Sequence, residues 1–429
     1  MKSIVQPVKG TRDFYPEQMA VRTWLYETVR SVAESFGYQE WEAPFLETIE
    51  LYGAKSGEEL VNQQSYVFKD RGGSEITLRP ELTPSLARMV AQRQDQLNFP
   101  VRWWSFGPFW RYERPQKGRT REFFQWNVDM LGAEAPEADA ETVAVLATFF
   151  RRVGLDPSRV LIFVNDRRLN NMQFEEFGIA IDLRSAASSW IDRREKMSPE
   201  EWEAYGTDIG LSGSQIANLK AMLEDKELWR KSPELTRFFA AADALGISDY
   251  VRFEPSIIRG LLYYTGTVFE AWEVAGDIKR SIFGGGRYDN LLADVGGGKL
   301  PAVGFAMGDV VITLLLEKYG LLPKGLSAQP ASVLVTVFDQ DRLLNSYRVA
   351  AEMRRAGIPA ALYPEPAKLP RQFKYADKMA ARVVLVIGPD EAAKAQVTVK
   401  DLSSGEQQTI AATALVAAVR KVLESPVSR

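Results

Sequence analysis

The stretch RYERPQKGRTREFFQ, residues 111–125, places Arg111, Arg114, Lys117, Arg119 and Arg121 within fifteen residues of a chain whose formal net charge is −3. Phe109, Trp110, Tyr112, Phe123 and Phe124 stand close on both sides. A run of this kind is what an ordinary solvated loop contains. It is also what grips a phosphate, because guanidinium groups donate charge-assisted hydrogen bonds to oxyanions. The chain has no histidine and no cysteine. A Ser-His triad, a Cys-His pair and a zinc site of the usual ligands are therefore excluded. A general base has to be Asp, Glu, Lys or Tyr, unless the reaction needs none. What remains is charge stabilisation by arginine, carboxylates and Mg²⁺, the chemistry of phosphoryl and nucleotidyl transfer.

Three further segments add to that chemistry. LRPELTP (78–84) offers Glu81 and Thr83 to a substrate ammonium. RGLLYYTG (259–266) brings Arg259 with Tyr263 and Tyr264. FGGGRYD (283–289) lets backbone approach a ligand closely. Each has a plainer reading: Gly284–Gly286 also fits a strand bend, and the two tyrosines also fit a core. GGGRYD lacks the G-x-G-x-x-G spacing of a dinucleotide fingerprint.

The elements that position these residues follow from periodicity. Pro16 opens a helix with Val21, Leu25, Val29 and Val32 on one face, closed by Gly37. SYVFKD and EITLRPE flank Gly72-Gly73 as a β-hairpin, and PSLARMVAQRQ follows as a helix. Residues 101–112 and 121–132 predict two antiparallel strands with the basic segment as the loop between them. Arg111 and Glu113 then alternate on a strand, where they suit a nucleoside triphosphate, and the loop arginines reach outward. Residues 167–250 read as an inserted helical module, and strand texture returns after it. GLLPKGLSAQPA marks a linker. Beyond it β-α-β-α-β alternation predicts a small doubly wound domain with a largely parallel sheet. The boundaries are 1–166 and 251–320 for the core, 167–250 for the insertion and 331–425 for the C-terminal domain.

Composition agrees. Of 429 residues, 46% are hydrophobic and 25% charged, which fits two or three globular domains. Residues 1–30 lack a signal-peptide run and no stretch is long enough to cross a bilayer, so a cytoplasmic protein is expected. The weakly acidic total argues against a purely electrostatic nucleic-acid binder, though local basic patches can still hold phosphate.

Together these segments resemble the class II aminoacyl-tRNA synthetases, and within them the histidyl-tRNA synthetase family, over nearly the whole chain. KGTRDFYPE (9–17) is similar to the family's N-terminal signature, and Pro44 falls at the proline of motif 1. FWRYERPQKGRTREFFQ is similar to motif 2, RGLLYYTG and GGGRYD to the two histidine motifs, and PAVGFAMG (301–308) to the start of motif 3. The segment from VLVTVF onward resembles the anticodon-binding domain. RPELTPSLARM and the NVD of residues 127–129 look closer to the archaeal-type branch.

The resemblance implies an α+β fold: an antiparallel sheet core with a helical insertion, plus a C-terminal α/β anticodon-binding domain. It implies ATP, with Mg²⁺, activating histidine for transfer to tRNA(His) by a homodimer. Arg111 and Arg259 would flank the α-phosphate as the catalytic pair, with Glu113 facing adenine and Arg119 also on ATP. Glu81, Thr83 and Gln125 would bind the α-ammonium. Tyr264 and Asp129 would hold the imidazole, with Tyr263 and Tyr288 lining the site. Gln116, Arg119 and Arg121 would meet the tRNA acceptor end. The departures are specific. The arginine expected soon after GFAMG is missing, since Asp309-Val310-Val311 stand there, and Arg114, Arg119 or Arg287 become its substitutes. Asp129 replaces a common Glu, Leu262 an Asp and Phe124 a His. The alternative is a silent paralogue that binds histidine as a signal, such as the regulatory subunit of ATP phosphoribosyltransferase.

Overall fold

The computed structural model describes residues 4–53, 63–258, 263–278, 280–326 and 331–425. Arg259 and Leu262 lie outside the described residues. In the first helix, α1 (Pro16–Ser35), proline presets the first turn and Leu25, Val29 and Val32 are buried. Gly37, at φ +78, carries the chain out of it in a conformation that other residues avoid. Next come β1 (Gln39–Glu40), β2 (Leu46–Thr48), α2 (Glu50–Gly53), β3 (Tyr66–Lys69) and β4 (Glu75–Leu78). The β3–β4 hairpin forms as the sequence predicts, and β2 adds to it as a three-stranded antiparallel sheet. After α3 (Thr83–Arg93), β5 (Val101–Trp110) and β6 (Glu122–Leu131) pair antiparallel along their full lengths.

The chain continues through α4 (Pro136–Arg152) and β7 (Val160–Asp166) into α5 (Arg167–Glu176), α6 (Arg184–Asp192), α7 (Pro199–Asp208), α8 (Gly213–Glu224) and α9 (Pro233–Ala244). It returns through β8 (Val251–Phe253), β9 (Thr267–Glu273), β10 (Phe283–Arg287), α10 (Leu291–Asp294), β11 (Ala302–Gly308) and α11 (Asp309–Lys318). Eight strands form one sheet in the order β1-β5-β6-β11-β10-β9-β7-β8, antiparallel except at the outer pairs β1/β5 and β7/β8. α4 lies in the core behind this sheet, with Val143, Leu146, Phe149 and Phe150 fully buried. Trp190, Leu219 and Leu235 of the helical segment join the same hydrophobic cluster as Trp126 and Phe305 of the sheet. The helices of 167–250 therefore enlarge the core of the sheet domain.

Two compact units divide the chain, Met1–Lys324 and Gly325–Arg429. The second contains β12 (Val333–Val335), α12 (Leu343–Arg355), β13 (Ala360–Leu362), α13 (Leu369–Lys378), β14 (Val383–Val386), α14 (Pro389–Ala393), β15 (Gln396–Asp401), β16 (Gln407–Ala411) and α15 (Leu415–Glu424). Its sheet order is β13-β12-β14-β15-β16. The first three strands are parallel as expected, but β15 and β16 are antiparallel, so the sheet is mixed. The reason is local. Gly405, at φ +78, closes a tight turn between β15 and β16, and a turn so short can join only antiparallel neighbours. Among the described residues no helix is long and apolar enough to cross a membrane.

Candidate active site

The site is carved from the front of the sheet by missing side chains. On β6, Gln125, Asn127 and Asp129 alternate to one face. Opposite them in register on β11 stand Gly308, Ala306 and Gly304. Gly284 and Gly286 of β10 pair in turn with Ala306 and Gly304, and Gly284 with Glu270 of β9. Polar side chains thus rise from β6 and β9 over two central strands that carry almost none. A Cβ on Gly304 would lie 2.0 Å from Asp129 Oδ1 and 2.8 Å from the Val128 carbonyl. Glycine is required there.

The inner cavity, about 250 Å³, is walled by Asp129, Gln125, Glu81, Tyr263, Tyr264 and Tyr288 among others. Asp129 is buried and accepts a hydrogen bond from the Tyr288 hydroxyl at 2.5 Å. Burial pushes its carboxyl pKa up to about 7, against the lowering pull of that hydrogen bond. The Tyr263 hydroxyl donates to Glu81 Oε2 at 3.1 Å. Tyr264 lies over Gly286, whose missing Cβ would sit 3.1 Å from its ring. The hydroxyl that meets Asp129 belongs to Tyr288, from the strand end beside β11. The LRPELTP segment is held by buried Arg79, which pairs with Glu42, donates to the Pro108 carbonyl and stacks against Phe45 and Phe109.

An outer cavity of about 450 Å³ shares Arg111, Gln125, Glu270, Gly284 and Ala306 with the inner one, so the two form a single cleft. β5 ends at Trp110, one residue before Arg111, which corrects the expectation that Arg111 and Glu113 alternate on a strand. The ladder stops because Arg111 N makes the last bond to Arg121 O, and Glu113 N then turns back to Arg111 O. Arg111 is anchored by Nε on the Pro80 carbonyl at 2.9 Å, lies 5.4 Å from the centre of the Phe123 ring, and among the described residues is in no ion pair. Glu113 is paired with Arg119 at 2.5 Å. Gln116 and Arg119 exchange backbone hydrogen bonds around Gly118, at φ +78, so the basic loop closes on itself.

The outward reach expected of its arginines holds for exposed Arg114 but is corrected for Arg119 and Arg121. Arg119 folds onto Glu113. Arg121 lies 4.2 Å over the Tyr112 ring and donates to the Glu113 carbonyl, while Gly10 of KGTRD accepts from its backbone N–H. Asp309 bonds Arg12 at 2.8 Å and the Phe124 N–H at 2.9 Å, which ties the N-terminal signature to the start of β6. Asn127, Glu270 and Arg280 also line the cleft and were not singled out from sequence. The period-two spacing of QWNVD and TVFEAW carried the signal for the first two.

The histidyl-tRNA synthetase family model matches residues 10–309, and an anticodon-binding-domain model matches residues 332–422. The chain belongs to the histidyl-tRNA synthetase family. Among its relatives, the chloroplastic/mitochondrial histidine–tRNA ligase of Arabidopsis thaliana is 39% identical over 94% of this chain and 84% of that protein. The histidine–tRNA ligase of Haloarcula marismortui is 36% identical over 94% and 95%. A solved histidyl-tRNA synthetase from Nostoc sp. PCC 7120 superposes with a TM-score of 0.79 at 26% identity, covering 98% of this chain and 100% of that one. An ATP phosphoribosyltransferase regulatory subunit/histidyl-tRNA synthetase from Bacillus halodurans C shares the fold, with a TM-score of 0.73 at 20% identity. As a histidyl-tRNA synthetase family member the chain departs at the end of β11, where Val310 and Val311 line the outer cavity without charge. Arg287 does not replace the missing arginine: it is 2% exposed and faces the core, paired with Asp139 at 2.6 Å.

Proposed function

We propose that the chain activates histidine with ATP as histidyl-adenylate and transfers it to tRNA(His). The observation that carries this reading is a two-part cleft. A small inner cavity ends on a buried carboxylate, and a larger outer one is lined by arginines, with Arg111 and Gln125 on the wall between. Asp129 accepts from an imidazole N–H, with Tyr264 and Tyr288 around the ring and Tyr263 beneath. Glu81, Thr83 and Gln125 receive the α-ammonium. The histidine carboxylate then attacks the α-phosphorus and pyrophosphate leaves, with Arg111 and Arg259 stabilising the added negative charge. The nucleophile is already ionised, so no protein base is needed, in keeping with a chain that lacks histidine.

Glu113, once released from Arg119, faces adenine. Gln116, Arg119 and Arg121 meet the tRNA acceptor end, and residues 331–425 read the anticodon. Among the described residues no group of three or more carboxylates forms a cation site, so Mg²⁺ is taken to arrive with the phosphates of ATP. Phe45, Leu46, Val67 and Phe68 are exposed at the small sheet, and a second copy of the chain, in a cytoplasmic homodimer, is the occupant proposed for them. A silent histidine-binding paralogue is the weaker reading, because relatives named as ligases span 94% of the chain.

ATP–pyrophosphate exchange measured with each of the common amino acids is the test. Exchange with histidine alone is expected, slowed roughly 10²–10³-fold by Arg259→Ala, the scale of losing one preorganised donor. Exchange with a different amino acid, or with none, would overturn the reading.

A further inference from the structure

The outer cavity contains a cation that no sequence motif announced. Arg280 sits in the connection between β9 and β10, half-buried, and among the described residues it makes no ion pair. Its bond is to an uncharged partner: Nη2 donates to Gln116 Oε1 at 2.9 Å. Burial, and then the like charge of Arg119, holds its pKa below the ordinary value. The opposite charge of Glu113 offsets this only in part, and a partly buried guanidinium held in no ion pair is completed by an added anion.

Among the described residues, the other arginines near the cavity are committed elsewhere. Arg119 is paired with Glu113, Arg121 lies on Tyr112, and Arg287 is locked to Asp139 behind the sheet. Arg114 does not line the cavity. Among the described residues that line it, Arg111 and Arg280 are left as the guanidiniums in no ion pair. The position of Arg280 is also specific. A Cβ on Gly118 would lie 3.2 Å from Arg280 Cδ and 3.7 Å from Val311 Cγ2, so Arg280 and Val311 flank the same glycine. The positive charge absent from the start of α11 thus arrives beside it from another element.

We infer that Arg280 binds the β- and γ-phosphates of the nucleoside triphosphate, with Gln116 orienting its guanidinium and Arg111 left for the α-phosphate. This rests on the proposed ATP-dependent activation and adds the residue that holds the tail. Two ligands separate the tail from the rest of the nucleotide. ATP has the tail, whereas a non-hydrolysable sulfamoyl analogue of histidyl-adenylate has none.

In the full-length protein, Arg280→Ala and Arg280→Gln are expected to weaken ATP binding about 10–100-fold, the scale of a charge-assisted hydrogen bond. Affinity for the adenylate analogue should stay within about twofold, and the KM for histidine should not move. Arg280→Gln keeps a neutral polar donor on a shorter side chain, so a loss shared by both variants is assigned to the guanidinium. Unchanged ATP affinity in both variants, or an equal loss for both ligands, overturns the inference. The wild-type protein separates the two proposals. If it performs histidine-dependent exchange and the variants keep their ATP affinity, only Arg280 is removed from the site. If it performs no exchange, the functional reading itself has failed.

Discussion

Asp129 is a buried carboxyl group at the end of the inner cavity, and the hydrogen bond it accepts from Tyr288 does not offset that burial. Its pKa therefore rises from the usual 3.8 to about 7. The folded chain holds this proton more tightly than the unfolded one. The stability the group contributes is complete below the unfolded value and is lost as pH rises through about 7. Function runs the other way, because only the ionised carboxylate accepts freely from an imidazole N–H. The KM for histidine should rise as pH falls below about 7, beyond what titration of the free substrate imidazole, near 6.5, accounts for. Asp129→Asn should raise the KM at alkaline pH and abolish the additional step, with ATP affinity close to normal. A wild-type profile that follows the substrate's titration alone would place the determinant elsewhere.

Strand β10 shows how one short element serves both faces of a sheet. Its cleft side is Gly284 and Gly286, while Gly285 packs against Phe269 and Phe305, and Arg287 reaches back to Asp139 on α4. That ion pair is fully enclosed and supported, since Arg287 also donates to the Ala133 and Ala135 carbonyls and Thr267 donates to Asp139. Removing one partner leaves a buried charge alone. Arg287→Ala should therefore cost about 3–5 kcal/mol in urea unfolding, and adding Asp139→Asn should recover part of the loss. The KM for ATP in the folded single variant should be near wild type. A large rise in it would mean that Arg287 reaches the nucleotide after all. Gly304→Ala tests the neighbouring strand. The new methyl meets both the Asp129 carboxylate and the Val128 carbonyl, so a destabilisation of about 1–3 kcal/mol is expected with a raised histidine KM. Normal histidine kinetics in that variant would show that Asp129 can move aside without consequence.

Each of the two units owns a core. Val333, Val383 and Val399 cluster with Leu415 in the second, apart from the clusters built on Trp126 and Leu86 in the first. The cleft lies wholly in the first unit. Truncation after Lys324 should accordingly leave a folded protein that keeps most of its histidine-dependent pyrophosphate exchange while tRNA charging falls steeply. Equal loss of both activities in a folded truncated chain would make the second unit part of the adenylation machinery. At this scale the sequence was informative. The break near residue 325, the strands flanking the basic loop, the β3–β4 hairpin and the helical run after 166 were all readable, because each rests on periodicity, glycine, proline or a linker within a short window.

The amino-acid sequence by itself determined which chemistry was open to this chain. With no histidine or cysteine, and with arginines between aromatic strands, charge stabilisation of a phosphate was what remained. It also determined most of the polar side chains that line the cleft, because Gln125, Asp129 and the tyrosines stand in ordered motifs. Tertiary structure alone decided which arginine lines the outer cavity and which turns to the core. Strand alternation says that neighbouring residues point to opposite faces but not which face is the core, and three glycines in a row erase even the alternation. Nothing in FGGGRYD therefore reveals that Arg287 turns inward to Asp139. Arg280 lies on an irregular connection, where position follows from packing against Gly118 and Val311, residues distant in the chain. The same holds for the Tyr288 hydroxyl on Asp129: it depends on β11 lying between β6 and the end of β10, a property of sheet order that no local window contains.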